Sequence, residues 1–107
     1  MKEIELFLRV IEAEEFVEGH EVLEELWKEW KHDALKKEES YILKGLINGS
    51  TALALVHLGR LEGAKRVWGT FEKYMPLIES ISSPHIPLYK TARNLLKTKY
   101  ELYGKEA

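Results

Sequence analysis

Apolar residues recur along this chain at intervals of three and four, and no stretch alternates with the two-residue period of a strand, so the pattern predicts helices throughout. Ile4, Phe7, Leu8 and Ile11 form one stripe on a first helix over residues 2–13. After Glu14, a second helix spans 15–32, with Phe16, His20, Leu23, Trp27 and Trp30 spaced four, three, four and three, as in the seam between packed bundle helices. The polar run 32–39 reads as an exposed connection to a third helix over 40–58. That helix has no acidic residue and interleaves Ile42, Leu46, Leu53 and Val56 with Gly45, Gly49, Ser50, Ala52 and Ala54. Small residues let neighbouring backbones approach, which gives the two glycines a packing role against their helix-propensity cost of about 1 kcal/mol each. Gly59 is placed to cap this helix.

A fourth helix over 61–80 carries Ala64, Val67, Trp68, Phe71, Met75 and Ile78 on one face, and Pro76 is expected to kink or end it. Ser82-Ser83-Pro84 signals the start of a fifth, bearing Leu88, Ala92, Leu95, Leu96 and Leu102 and ending near Gly104. Short connections between amphipathic helices imply antiparallel neighbours. The expected fold is therefore all-α, an antiparallel bundle of four to five helices forming one domain over residues 1–107.

Composition narrows the setting. The chain has no cysteine, so disulfides and thiolate metal sites are excluded and a reducing, cytoplasmic compartment is expected. No run approaches the roughly 20 apolar residues of a membrane span. Sixteen basic against eighteen acidic residues give a formal charge of -2, so no global excess drives nucleic-acid or membrane binding, and neither is expected as a partner. The charges are unevenly spread: Glu12 to Glu29 holds eight Glu and one Lys, whereas His85 to Ala107 holds five Lys/Arg and two Glu. These regions are expected to attract one another, within the fold or between the subunits of a homodimer.

His20-Glu21-Val22-Leu23-Glu24 invites comparison with the zinc-protease signature His-Glu-x-x-His, but Glu24 stands where the second histidine would be. His20 and Glu24 supply two ligands at most. His57 becomes a third if the end of the third helix lies beside the middle of the second, since a catalytic zinc commonly takes three protein ligands and a water. At about 100° per residue, Glu24 and Trp27 lie only about 40° and 20° to either side of His20, whereas Glu21 lies about 100° away and reads as solvated. The patch is thus either a polar pocket walled by Trp27 and Trp30, or a buried His20–Glu24 pair that fixes helix packing, with Glu24 also free to pair with Lys28. Di-iron bundles require Glu-x-x-His pairs that neither His20 nor His57 provides. Helical nucleotide pyrophosphatases would need a second acidic motif that the acid-free third helix lacks. The segment Gly45 to Gly49 lacks the features of a phosphate loop. Lys90, Arg93, Lys97, Lys99, Tyr100 and Tyr103 fit a solvated helix face better than a nucleic-acid surface.

The series His20-Glu21-x-Leu23-Glu24-x-x-Trp27, Gly45-Leu46-Ile47, His57 and Gly63-Ala64 resembles the domain of unknown function 309 family of small bacterial and archaeal proteins over roughly residues 7–75. The resemblance implies a helical bundle. It singles out His20, Glu21, Glu24, Trp27 and His57, and implies a contact for Glu21 with another helix or a partner. It carries no assigned activity. Two departures bear on the site: glutamines that often flank the Gly-Leu-Ile segment are Lys44 and Asn48, and a glycine of the first interhelix turn is Glu14, so that turn is expected to be reshaped or absent. The leading expectation is a non-catalytic interaction or ligand-binding module with a buried His20/Glu24/Trp27 patch and no cofactor. The alternative is a metal-dependent hydrolase holding a divalent metal with His20, Glu24 and His57 and using Glu21 as base.

Overall fold

The computed structural model describes residues 1–104, which form an all-α bundle. Its helices are α1 (Lys2–Glu12), α2 (Phe16–Trp30), α3 (Lys37–His57), α4 (Leu61–Tyr74) and α5 (Ile86–Gly104), with a 310 segment over Met75–Glu79. No described helix is long and apolar enough to cross a membrane. The central element is α3, which packs against α2, α4, α5 and the 310 segment. That position explains why Ile42, Leu43, Leu46, Ile47, Ala52 and Leu53 are buried on more than one face. Each large apolar side chain removed from water in this way contributes about 1.5–3 kcal/mol.

The glycines of α3 are close-packing sites as expected. A Cβ on Gly45 would lie 2.6 Å from Met75 Cε, and one on Gly49 would lie 2.8 Å from Phe71 Cδ1 and 2.9 Å from Leu96 Cδ1. The α3 terminus is a complete Schellman motif, with Gly59 at φ 75°, its N–H donating to Val56 O and the Arg60 N–H to Leu55 O. Pro76 ends α4 as a regular helix, and the chain continues as the 310 segment. The fifth helix starts two residues later than Ser83-Pro84 suggests. Ser83 Oγ accepts from the His85 N–H within a turn and donates to a Glu39 carboxylate oxygen at 2.9 Å, so its hydroxyl holds the turn to α3.

The expectation of a reshaped first interhelix turn is corrected. Glu14 adopts φ 61°, the left-handed conformation a glycine would take, and the turn closes as a second Schellman motif through Glu14 N–H to Ile11 O and Glu15 N–H to Val10 O. Left-handed backbone is unfavourable for a residue with a Cβ, and here the side chain has partners that offset it: Lys99 Nζ at 2.9 Å and the Tyr103 hydroxyl both donate to the Glu14 carboxylate. The acidic and basic regions of the chain therefore do meet within the fold, joining the α1–α2 turn to the end of α5.

On α5 the buried residues are Tyr89, Ala92 and Leu96, with Leu88 and Leu95 half-buried. Leu102, expected inside, is 53% exposed. The inward stripe runs on through Tyr100, whose ring stacks on Trp68 at 3.9 Å between centroids, and Tyr103, about 100° around the helix from Leu102.

Candidate functional site: the groove between α2 and α3

The inward face of α2 is set by Phe16, Gly19, Leu23 and Trp30. A Cβ at Gly19 would overlap Ser50 Oγ and lie 2.7 Å from Ile11 Cδ1. Its absence lets α2 approach α3 closely enough for the buried Ser50 hydroxyl to donate to Phe16 O at 2.5 Å. This contact turns the helix so that position 19, not 20, points at the core.

The expectation of a buried His20–Glu24 pair is corrected accordingly. The His20 side chain is 42% exposed and Glu24 35%, and Nε2 and Oε2 stand 3.8 Å apart, beyond hydrogen-bond range. Glu24 is closer to Lys28 Nζ, at 3.3 Å. Both residues lie on the flank of α2. Glu21 is exposed, and among the described residues it makes no hydrogen bond or ion pair. His57 lies at the exposed end of α3, its ring edge-on to Phe16 at 4.9 Å and to Tyr103 at 5.3 Å. It therefore stands over the first residue of α2, not its middle. Among the described residues no three His, Cys, Asp or Glu side chains gather in a group that could hold a metal ion, and His20, Glu24 and His57 do not form one.

Trp27 has a different setting. Half-buried against the edge of the core, it walls a cleft of about 380 Å³ at the mouth of the α2–α3 hairpin, together with Lys31, His32, Lys37, Ser40, Tyr41 and Lys44. The hairpin turn is held by Asp33, whose side chain accepts from Leu35 N–H and whose backbone links Trp30 O to Lys36 N–H. Lys31 Nζ sits 4.3 Å above the Trp27 ring, and Lys36 Nζ 4.4 Å above Trp30. Across the cleft, Tyr41 stacks on Tyr74 at 5.3 Å, and Lys44 Nζ lies 5.7 Å from the Tyr74 ring. The lining contains three lysines and a histidine and no carboxylate. None of the three ammonium groups has a carboxylate oxygen within 4.0 Å among the described residues.

Helical spacing connects this cleft with the singled-out residues. His20, Glu24, Trp27 and Lys31 recur at four, three and four on α2, and Lys37, Tyr41, Lys44 and Asn48 do the same on α3. Of these stripes, Trp27 and Lys31 on one side and Lys37, Tyr41 and Lys44 on the other line the cleft. A search for histidine and glutamate ligands passes over Lys31, Lys37, Tyr41 and Lys44. The signal that could have found them was the continuation of the Trp27 stripe past the motif.

The profile of the domain of unknown function (DUF309) matches residues 4–67. That span runs from the start of the core in α1 to the middle of α4 and includes both walls of the groove. No curated protein and no solved structure matches the chain. On the match over more than half its length, with the His20-to-Trp27 motif inside it, the chain belongs to the domain of unknown function 309 family.

Proposed function

We propose that this protein is a non-catalytic ligand-binding module whose site is the α2–α3 cleft. The observation that carries this reading is the concave wall made by Trp27, Tyr41 and Ser40 on two helices held in register by the Gly19–Ser50 contact. Small-ligand sites are concavities of about 300–1,000 Å³ that combine apolar walls with a few placed polar groups, and this cleft falls at the lower end. The dispersed positions of His20, Glu24 and His57 give the hydrolase alternative no ligand set to support it.

A fragment screen followed by two-dimensional amide and indole NMR tests the reading. Binding fragments are expected to move the Trp27 indole and the amides of residues 37–44. A chemically diverse library at millimolar concentration that moves none of them would refute it.

A further inference from the structure

We infer that the ligand of the α2–α3 cleft is a phosphorylated small molecule, its phosphate held by Lys31, Lys37 and Lys44 and its organic body lying between Trp27 and Tyr41. This rests on the cleft being a binding site, as proposed above, and adds the chemistry of what enters it.

The charge distribution is the first argument. In a chain with more acids than bases, every charged group lining this cleft is a cation. Bringing like charges to one concavity is unfavourable unless an anion completes it. Lys44 is the only charged residue between Ser40 and Val56, and it has no acid three or four positions away on either side to pair with. Helix stability does not account for Lys37 either: it opens the first turn of α3, where the helix dipole disfavours a cation. Lys31, at the end of α2, is well placed for the dipole, but its ammonium is used over Trp27 and meets no carboxylate.

The second argument is preorganisation. Lys31 is held over one aromatic ring and Lys44 near another, at 4.3 and 5.7 Å. A cation over a ring face has its position fixed there and keeps N–H donors to spare, which a phosphate can accept in charge-assisted hydrogen bonds. The third argument is volume. A cleft of about 380 Å³ leaves room beyond an inorganic ion, and that room is bounded by the edges of Trp27 and Tyr41.

The test uses the full chain, titrated by isothermal calorimetry and NMR with three probes: ribose 5-phosphate, unphosphorylated ribose and inorganic phosphate. Ribose 5-phosphate is expected to bind, to move the Trp27 indole, to weaken as salt rises, and to bind more tightly than either of the other probes. Lys44→Gln is expected to reduce its affinity roughly tenfold, the loss of one charge-assisted contact, and Lys37→Glu, which also repels the phosphate, by more. Lys97→Glu, on another face of the bundle, is expected to leave it unchanged. Circular dichroism on each variant confirms the fold. Equal binding of ribose and ribose 5-phosphate, unaffected by Lys37→Glu, would overturn the phosphate inference and leave the cleft a ligand site. Failure of ribose 5-phosphate to move Trp27 would overturn it as well, and silence of the fragment screen in addition would remove the binding-module reading. Tight binding of a single-stranded oligonucleotide, weakened equally by Lys36→Glu or Lys73→Glu outside the cleft, would also overturn it in favour of a nucleic-acid surface.

Discussion

Replacing Gly19 with alanine adds one methyl group at the closest approach of α2 to α3, and the consequences can be worked out atom by atom. The new Cβ would overlap Ser50 Oγ and stand 2.7 Å from Ile11 Cδ1. Ile11 and Ser50 are fully buried, so neither can swing into solvent. If the helices move apart, overpacking of this kind costs about 1–3 kcal/mol. If Ser50 instead rotates, its hydroxyl loses the 2.5 Å bond to Phe16 O and stays buried without a partner, at about 1–3 kcal/mol. Alanine returns about 1 kcal/mol through helix propensity. The expected net loss is about 1 kcal/mol, or roughly 4–6 °C in Tm for a chain of this size. Urea unfolding followed by circular dichroism measures it, with the slope unchanged if only stability has altered. Gly69→Ala is the control: it sits within α4, where an added methyl would meet nothing within 4 Å, so alanine there should stabilise by about 1 kcal/mol. A Gly19→Ala protein as stable as the wild type would refute the claim that this contact fixes how α2 is turned.

Three further outcomes follow from the side chains around the core. His20→Asn should lower stability by less than about 0.5 kcal/mol in urea titration, because the imidazole is half-exposed and too far from Glu24 for a hydrogen bond; loss of folding would restore a structural role for the pair. The Tyr103 hydroxyl, and after it Lys99, hold the Glu14 carboxyl below its usual value of about 4.5, while Glu14 raises Lys99. The depressed carboxyl contributes stability in full above pH 4.5 and loses it as pH falls through the lowered value. The raised ammonium contributes below the ordinary lysine range and loses its share as pH rises through the raised value. Lys99→Met should therefore lower Tm at neutral pH, and the gap to wild type should narrow below pH 4; a gap constant with pH would refute the pairing. Tyr89 is fully buried; burial first, and then its bond to the Glu39 carboxylate, push the phenol's pKa up and keep it a proton donor. Tyr89→Phe should cost about 1–2 kcal/mol by chemical denaturation, and no loss would mean that the Ser83 hydroxyl alone satisfies Glu39.

Periodicity is enough to place five helices because each buries a stripe against its neighbours, α1 against α2 and α5 and the others against α3, and the stripes on α1 and α4 are those the spacing predicts. It placed His20 wrongly for an equally physical reason. A hydrophobic pattern registers side chains, and Gly19 has none; its role is visible only when Ser50 is seen opposite it. Tyr89 escaped because an aromatic with a hydroxyl scores as amphipathic until its partner, Glu39, is known to lie fifty residues away. Glu14 stands where the family pattern has a turn glycine, yet it takes the left-handed backbone a glycine would, and Lys99 and Tyr103 arrive from the far end of the chain to hold its side chain. The candidate site divides along the same line. The sequence marked Trp27 but coupled it to His20 and Glu24, its neighbours on one helix. The lysines that share its cleft come from the hairpin turn and from α3, and only tertiary structure brings them together.

The tie between Glu14 and Lys99 has a consequence for the order in which the bundle assembles. The turns from α1 to α4 are short, so successive helices can find one another at little loop-closure cost. The contact of α5 with the α1–α2 turn joins positions 85 residues apart, so its loop-closure cost is the largest and it is expected to form late. This link therefore acts as a latch, and loosening it should quicken unfolding much more than it slows folding. Residues 4–67, which carry the family pattern, supply both walls of the cleft; the helix beyond them ties the start of α2 to the far end of the chain.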